Sequence, residues 1–156
     1  MASDEEIYRK YADELTRFAT GLVGPDNATD AVSAAMIGVF TSAKWPSALN
    51  QRAYLYRAVL NECRMQGRRT ATRRRYEQRT PAAGDADPDG AGPADAPKPE
   101  VLAAVLALSD RQRAVVYLTY WEDLEPSRIA ELLGISDGAV RRHLARARRH
   151  LRKTLR

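Results

Sequence analysis

Residues 80–99 read TPAAGDADPDGAGPADAPKP, a stretch without one large apolar side chain. Such a segment cannot bury enough surface to offset its chain entropy, so it predicts a flexible tether. It cuts the 156-residue chain into two pieces, 1–79 and 100–156, each small and each needing its own core. A hydrophobic content of 44% is enough for two packed cores. No apolar run approaches 18 residues, so no membrane-spanning helix is expected. The acidic, amphipathic start MASDEEIYRKYADEL lacks the pattern of a secretory signal. The single cysteine, Cys63, excludes an internal disulfide and reads as a buried or neutral thiol. The expected compartment is the cytoplasm, with no membrane partner.

Both pieces carry helical periodicity and neither shows strand alternation, which predicts an all-α chain. Ser3 followed by Glu6 has capping-box spacing and opens a first helix with the stripe Ile7, Tyr11, Leu15, Phe18 and Leu22. Gly24-Pro25 ends it. A second helix is expected over roughly 27–43, a loop over KWPSALNQ (44–51), and a third helix from about 50 to the upper 70s. Beyond the tether, PEVLAAVLAL predicts a short helix. Ser109 with Gln112 opens another, and Trp121 at its end reads as core filler.

The C-terminal segment is the most informative. Pro126 fits the first turn of a helix that stops at Gly134, Ile135 and Ser136 make the turn, and Ser136 caps a final helix from Asp137. Helix, short glycine-containing turn and second helix are the elements of a helix-turn-helix. Along the final helix Val140, Leu144, Ala147 and Leu151 recur on one face and pack against Ile129, Leu132 and Leu133. The opposite face carries Arg141, Arg142, Ala145, Arg146 and Arg149. A membrane-surface helix needs a broad face of large apolar residues, which this one lacks. Entry into a DNA groove fits better.

Charge agrees. The formal net charge is +5, yet residues 80–97 hold four aspartates and no Lys or Arg. The excess therefore sits elsewhere, in arginine clusters at 64–79 and 141–156, the footprint of a polyanion binder. No Gly-rich phosphate loop, nucleophile elbow or paired-carboxylate motif is present, so no catalytic residue and no enzyme activity is expected. His143 and His150 lack Cys, His or Asp partners at ligand spacing, so neither a metal nor another cofactor is expected. A stand-alone helix-turn-helix regulator, binding duplex DNA without polymerase, is the main competing reading.

Two stretches of the first piece and most of the second resemble the extracytoplasmic-function sigma factors of bacterial RNA polymerase. ATDAVSAAMIGVF (28–40) and AYLYRAVLNECRMQGRR (53–69) are similar to region 2, through Ala28, Asp30, Val32, Leu55, Tyr56, Arg57, Asn61, Arg68 and Arg69. LSDRQRAVVYLTYWEDLEPSRIAELLGISDGAVRRHLARARRHLR is similar to region 4. Its matches include Leu108, Arg113, Ile129, Ala130, Leu133, Gly134, Ser136, Gly138, Val140, Arg141, Arg146, Ala147 and Arg148. The two matches occur in the family's order.

The resemblance implies a division of labour, with region 2 at 1–79, an acidic linker at 80–99 and region 4 at 100–156. Asp30, Val32, Met36 and Phe40 would touch the clamp helices of the polymerase largest subunit. Trp45, Asn50, Gln51, Tyr54, Asn61, Arg64, Arg68 and Arg69 would take the single-stranded −10 element, with Arg73, Arg74 and Arg75 adding phosphate contacts. Ser136, Arg141, Arg142, Arg146 and Arg149 would take the −35 element. Implied partners are core RNA polymerase, promoter DNA and an anti-sigma factor. The linker's four aspartates admit two readings, a solubilising tether or a mimic of RNA phosphates.

Overall fold

In a computed structural model of the chain, residues 3–77 and 99–155 are described, and every regular element among them is helical. The first set comprises α1 (Asp4–Val23), α2 (Pro25–Phe40), a 3-10 turn (Trp45–Ser47) and α3 (Gln51–Glu77). The second comprises α4 (Pro99–Leu106), α5 (Asp110–Tyr120), α6 (Pro126–Leu133) and α7 (Asp137–Thr154). The acidic stretch and the alternative roles of its aspartates lie outside the described residues.

Local chemistry explains the boundaries. The Ser3 hydroxyl accepts from the Glu6 N–H at 3.2 Å and starts α1. Gly24, at φ +86°, ends α1 and also begins α2, because Pro25 at the first helical position needs no N–H partner. The second helix therefore starts earlier than its apolar pattern predicts, and it ends at Phe40 rather than near 43. The box at Ser109 is reciprocal: its hydroxyl accepts from the Gln112 N–H and its own N–H donates to the Gln112 side chain, both at 3.2 Å.

Helices α1, α2 and α3 pack as a three-helix bundle around Leu15, Phe18, Leu22, Val32, Met36, Tyr56 and Val59. Helices α5, α6 and α7 enclose Val115, Leu118, Ile129, Val140 and Ala147. The two sets also dock on each other through α1 with α5 and α3 with α6, so one buried cluster runs through both. Phe18 meets Tyr117 edge-on at 5.9 Å between ring centroids. A methyl at Gly21 would lie 2.6 Å from the Tyr117 ring, so the approach of α1 to α5 depends on a residue without Cβ. Arg113 donates to the Leu22 carbonyl at 2.6 Å. Helix α1 has no basic residue in its own last turn, and α5 supplies the cation that satisfies a terminal carbonyl.

Trp121 corrects the expectation drawn from its apolar character. It is 70% exposed, lying just past α5 with its ring stacked on Tyr117 at 6.0 Å. Tyr117, 9% exposed, occupies the buried position instead, where burial and a hydrogen bond to Glu122 push its phenol up to about 12.

Candidate nucleic-acid interface

The helix-turn-helix is assembled by three backbone devices. Pro126 opens α6. Gly134 closes it in the left-handed conformation at φ +70°, its N–H donating to the Ala130 carbonyl at 2.9 Å. The Ser136 hydroxyl then accepts from the Ala139 N–H at 3.1 Å and starts α7. Val140, Leu144 and Ala147 are buried on the inner side of α7, with Leu151 half-buried. Arg141, Arg142, Ala145, Arg146 and Arg149 are exposed, forming a basic outer ridge. Ser136 stands at the mouth of the helix.

Arg148 belongs to this helix but is differently employed. Its Nε donates to the Tyr120 hydroxyl at 2.7 Å, and its guanidinium lies over that ring. It anchors α7 to the end of α5. His143 reports the local field: burial first, then the charges of Arg111, Arg146 and Arg142, lower its pKa. Neutral imidazole is favoured where several guanidinium groups raise the potential.

The N-terminal residues expected at a single-stranded element are distributed unevenly. Gln51, Asn61, Arg68, Arg69 and Arg73 are exposed on α3 or at its start. Asn50 caps α3, its Oδ1 accepting from the Ala53 N–H at 3.0 Å, while its amide donates to the Glu131 carboxylate at 3.2 Å. Tyr54 is half-buried, its hydroxyl 3.3 Å from that of Ser42. Arg64 lies half-buried beside Asp110 at 4.0 Å. The side chains of Arg74 and Arg75 lie outside the described residues. Trp45 departs from expectation: it is 6% exposed, wedged between Phe40 and Tyr54 at 5.7 and 5.5 Å, and has no free face for a base. Proline follows it and the 3-10 turn folds its indole onto the bundle.

The residues expected to touch polymerase need a similar correction. Val32 and Met36 are each 3% exposed, because they form the stripe with which α2 packs between α1 and α3. Phe40 is half-buried against Trp45. Asp30 is exposed, and the outward ridge continues through Ala34 and Ile37, the latter 66% exposed.

Residues from the two sets also meet where no sequence motif marks a site. Arg57 donates to the Glu131 backbone carbonyl at 3.0 Å. With Asn61, Arg64 and Arg111 it lines a cleft of about 210 Å³, floored by Leu133 and Ile135. The separation along the chain hid this grouping: Arg57, Asn61 and Arg64 stand in one recognisable stretch, Arg111, Leu133 and Ile135 in another, and nothing in either marks their meeting. Among the described residues no group of three or more His, Cys, Asp and Glu could hold a metal ion, and no helix is long and apolar enough to cross a membrane.

A helix-turn-helix with an arginine ridge, joined to a three-helix bundle with a basic third helix, defines a nucleic-acid-binding protein of two parts. The sequence profile of sigma-70, region 4, matches residues 99–151. The RNA polymerase sigma-E factor of Streptomyces antibioticus is 32% identical over 155 residues, spanning 97% of this chain and 83% of the relative. That of Streptomyces coelicolor is 31% identical over 155 residues, spanning 97% and 85%. Among solved structures, the chain resembles the sigma factor RpoE of Bartonella quintana, determined in complex with the anti-sigma factor NepR. The TM-score is 0.65 at 23% identity, covering 97% of this chain and 95% of that one, a likeness of fold. The chain belongs to the RNA polymerase sigma factors, in their extracytoplasmic-function group. It is a sigma factor that directs transcription, and the stand-alone regulator is not favoured.

Proposed function

We propose that the chain binds core RNA polymerase through region 2 (1–79) and places region 4 (100–156) on the −35 element, with 80–99 as the tether. The observation that carries this is the arginine ridge of α7, presented by a capped helix whose other face packs through Val140, Leu144 and Ala147. Arg141, Arg142 and Arg146 are assigned base edges, since guanidinium pairs bidentately with guanine, and Arg149 is assigned phosphate. Ser136 and the first amides of α7 would seat a further phosphate. Asn61 and Gln51 supply amides for an extruded −10 base, with Asn50 joining once it leaves Glu131 and Tyr54 at the edge. Arg64, Arg68 and Arg69 hold the strand's phosphates, a salt-dependent contribution without sequence information.

For polymerase, Asp30 stands on the exposed ridge of α2 with Ile37 beside it. Val32 and Met36 act from beneath by fixing the helix, and Phe40 braces its end. The named complex of the Bartonella relative with NepR supports an anti-sigma factor as a further partner of this chain. The working compartment is the cytoplasm.

The test is reconstitution. Core RNA polymerase and the purified chain should co-elute as one complex and give run-off transcripts from a mapped promoter. An Asp30→Lys, Ile37→Glu variant should lose co-elution while its own helicity persists. A wild-type chain that binds promoter duplex tightly alone and never joins a cognate polymerase would restore the regulator reading.

A further inference from the structure

The cleft between the two sets of helices holds three guanidinium groups and very little to neutralise them. Arg57 and Arg64 come from α3, and Arg111 comes from α5. Asp110 is the carboxylate nearest Arg64, but at 4.0 Å, whereas its other oxygen is engaged by Arg113 at 2.6 Å. Arg57 makes its hydrogen bond to a neutral carbonyl, that of Glu131, at 3.0 Å. Arg111 is exposed and makes no ion pair among the described residues. Converging like charges repel, and the repulsion is relieved when an anion sits among them.

The walls indicate what kind of anion. Guanidinium groups present paired N–H donors suited to phosphate oxygens, and the exposed Asn61 amide adds another donor. At about 210 Å³ the cleft is below the roughly 300–1,000 Å³ that encloses a drug-sized molecule, and it has room for a phosphoryl head group. Leu133 and Ile135 make an apolar floor that keeps water from one side of the charges. We propose that this cleft is a binding site for a small free polyphosphate, a pyrophosphate head group, bridging Arg57 and Arg64 of the N-terminal helices to Arg111 of the C-terminal ones. Because both sets contribute walls, a bound anion favours their docked arrangement by mass action. It also occupies Asn61 and Arg64, so it opposes engagement of the −10 strand; this consequence alone rests on the reading proposed above.

The experiment uses the full chain and pyrophosphate, without DNA or polymerase, so its outcome is independent of promoter recognition. Calorimetric titration at constant ionic strength should give one saturable site and a raised Tm. Arg111→Ala should weaken the affinity at least tenfold, while Arg128→Ala, which removes an exposed charge elsewhere on α6, should leave it within twofold. The Arg111 variant folds if its helicity and Tm without anion match wild type, which separates lost binding from lost structure. A Tm gain reproduced by sodium chloride at equal ionic strength overturns the proposal, as does equal weakening by both variants. Tight binding of a single-stranded oligonucleotide with no measurable pyrophosphate site would assign the arginines to the nucleic-acid backbone instead.

Discussion

Gly134 carries two constraints at once. Its φ of +70° lies where a side chain is strained, and an added Cβ would approach Arg57 Nε to 2.7 Å. Gly134→Ala should therefore cost about 1–2 kcal/mol from the left-handed backbone, with Arg57 forced off the Glu131 carbonyl. The midpoint of urea unfolding measures this, and an unshifted midpoint would refute it. His143 makes the second residue-scale prediction. Its folded pKa lies below the unfolded value of about 6.5, so between the two the unfolded chain binds more protons. The stability contributed by keeping the ring neutral is present above about pH 6.5 and is lost as pH falls through the folded pKa. Thermal unfolding scanned from pH 7.5 to 5.5 should show Tm falling in wild type and flatter in His143→Gln; parallel profiles would exclude His143 as the cause. Gly134 was legible in the sequence as a helix stop, because its role is local. Its closeness to Arg57 was not, since that neighbour arrives from a distant helix.

Among the elements, α7 was the most readable. Its cap, inner stripe and basic ridge all follow from spacing along one helix, and the structure places Val140, Leu144 and Ala147 inside as that spacing requires. Helix α2 was less readable, because nearly all its residues are small or apolar. Periodicity could mark Val32 and Met36 as one stripe without saying whether the stripe faces a core or a partner. Trp45 shows the same ambiguity for a loop: an aromatic beside a proline can stack on a base or close a bundle, and Phe40 and Tyr54 decide it. Helix α7 also carries the element-scale prediction. Arg142→Ala, near its N-terminal end, should cost about 1–3 kcal/mol on a matched −35 duplex and relax preference at one position. Arg149→Ala, two turns along, should weaken all duplexes alike and lower the salt slope by about one. Titrations on matched and mismatched duplexes at several salt concentrations separate them; identical behaviour of the two variants would remove the division of roles.

At the scale of the whole molecule, the composition of residues 80–99 announces two parts but says nothing about how they meet. The meeting depends on contacts such as Arg113 with Leu22, Arg57 with Glu131 and Gly21 against Tyr117, none of which leaves a periodic trace. Docking bears on the −10 role proposed for Asn50, since its amide and the Arg57 guanidinium are both committed to Glu131 of α6 while the parts touch. Gly21 offers a way to separate docking from folding. Leucine is the better helix former by about 0.8 kcal/mol, so Gly21→Leu should not weaken α1 itself. Its side chain would instead run into the Tyr117 ring, already 2.6 Å from the first added carbon. The expected result is an undocked chain with unchanged helicity, its radius of gyration rising well above the roughly 15 Å of a compact chain of this length. Released Asn50 and Arg57 should then raise affinity for a single-stranded −10 oligonucleotide. Small-angle scattering reads the first effect and fluorescence anisotropy the second. A compact variant would show that Tyr117 simply moves aside, whereas an expanded variant with unchanged strand affinity would show that docking does not restrain the −10 surface.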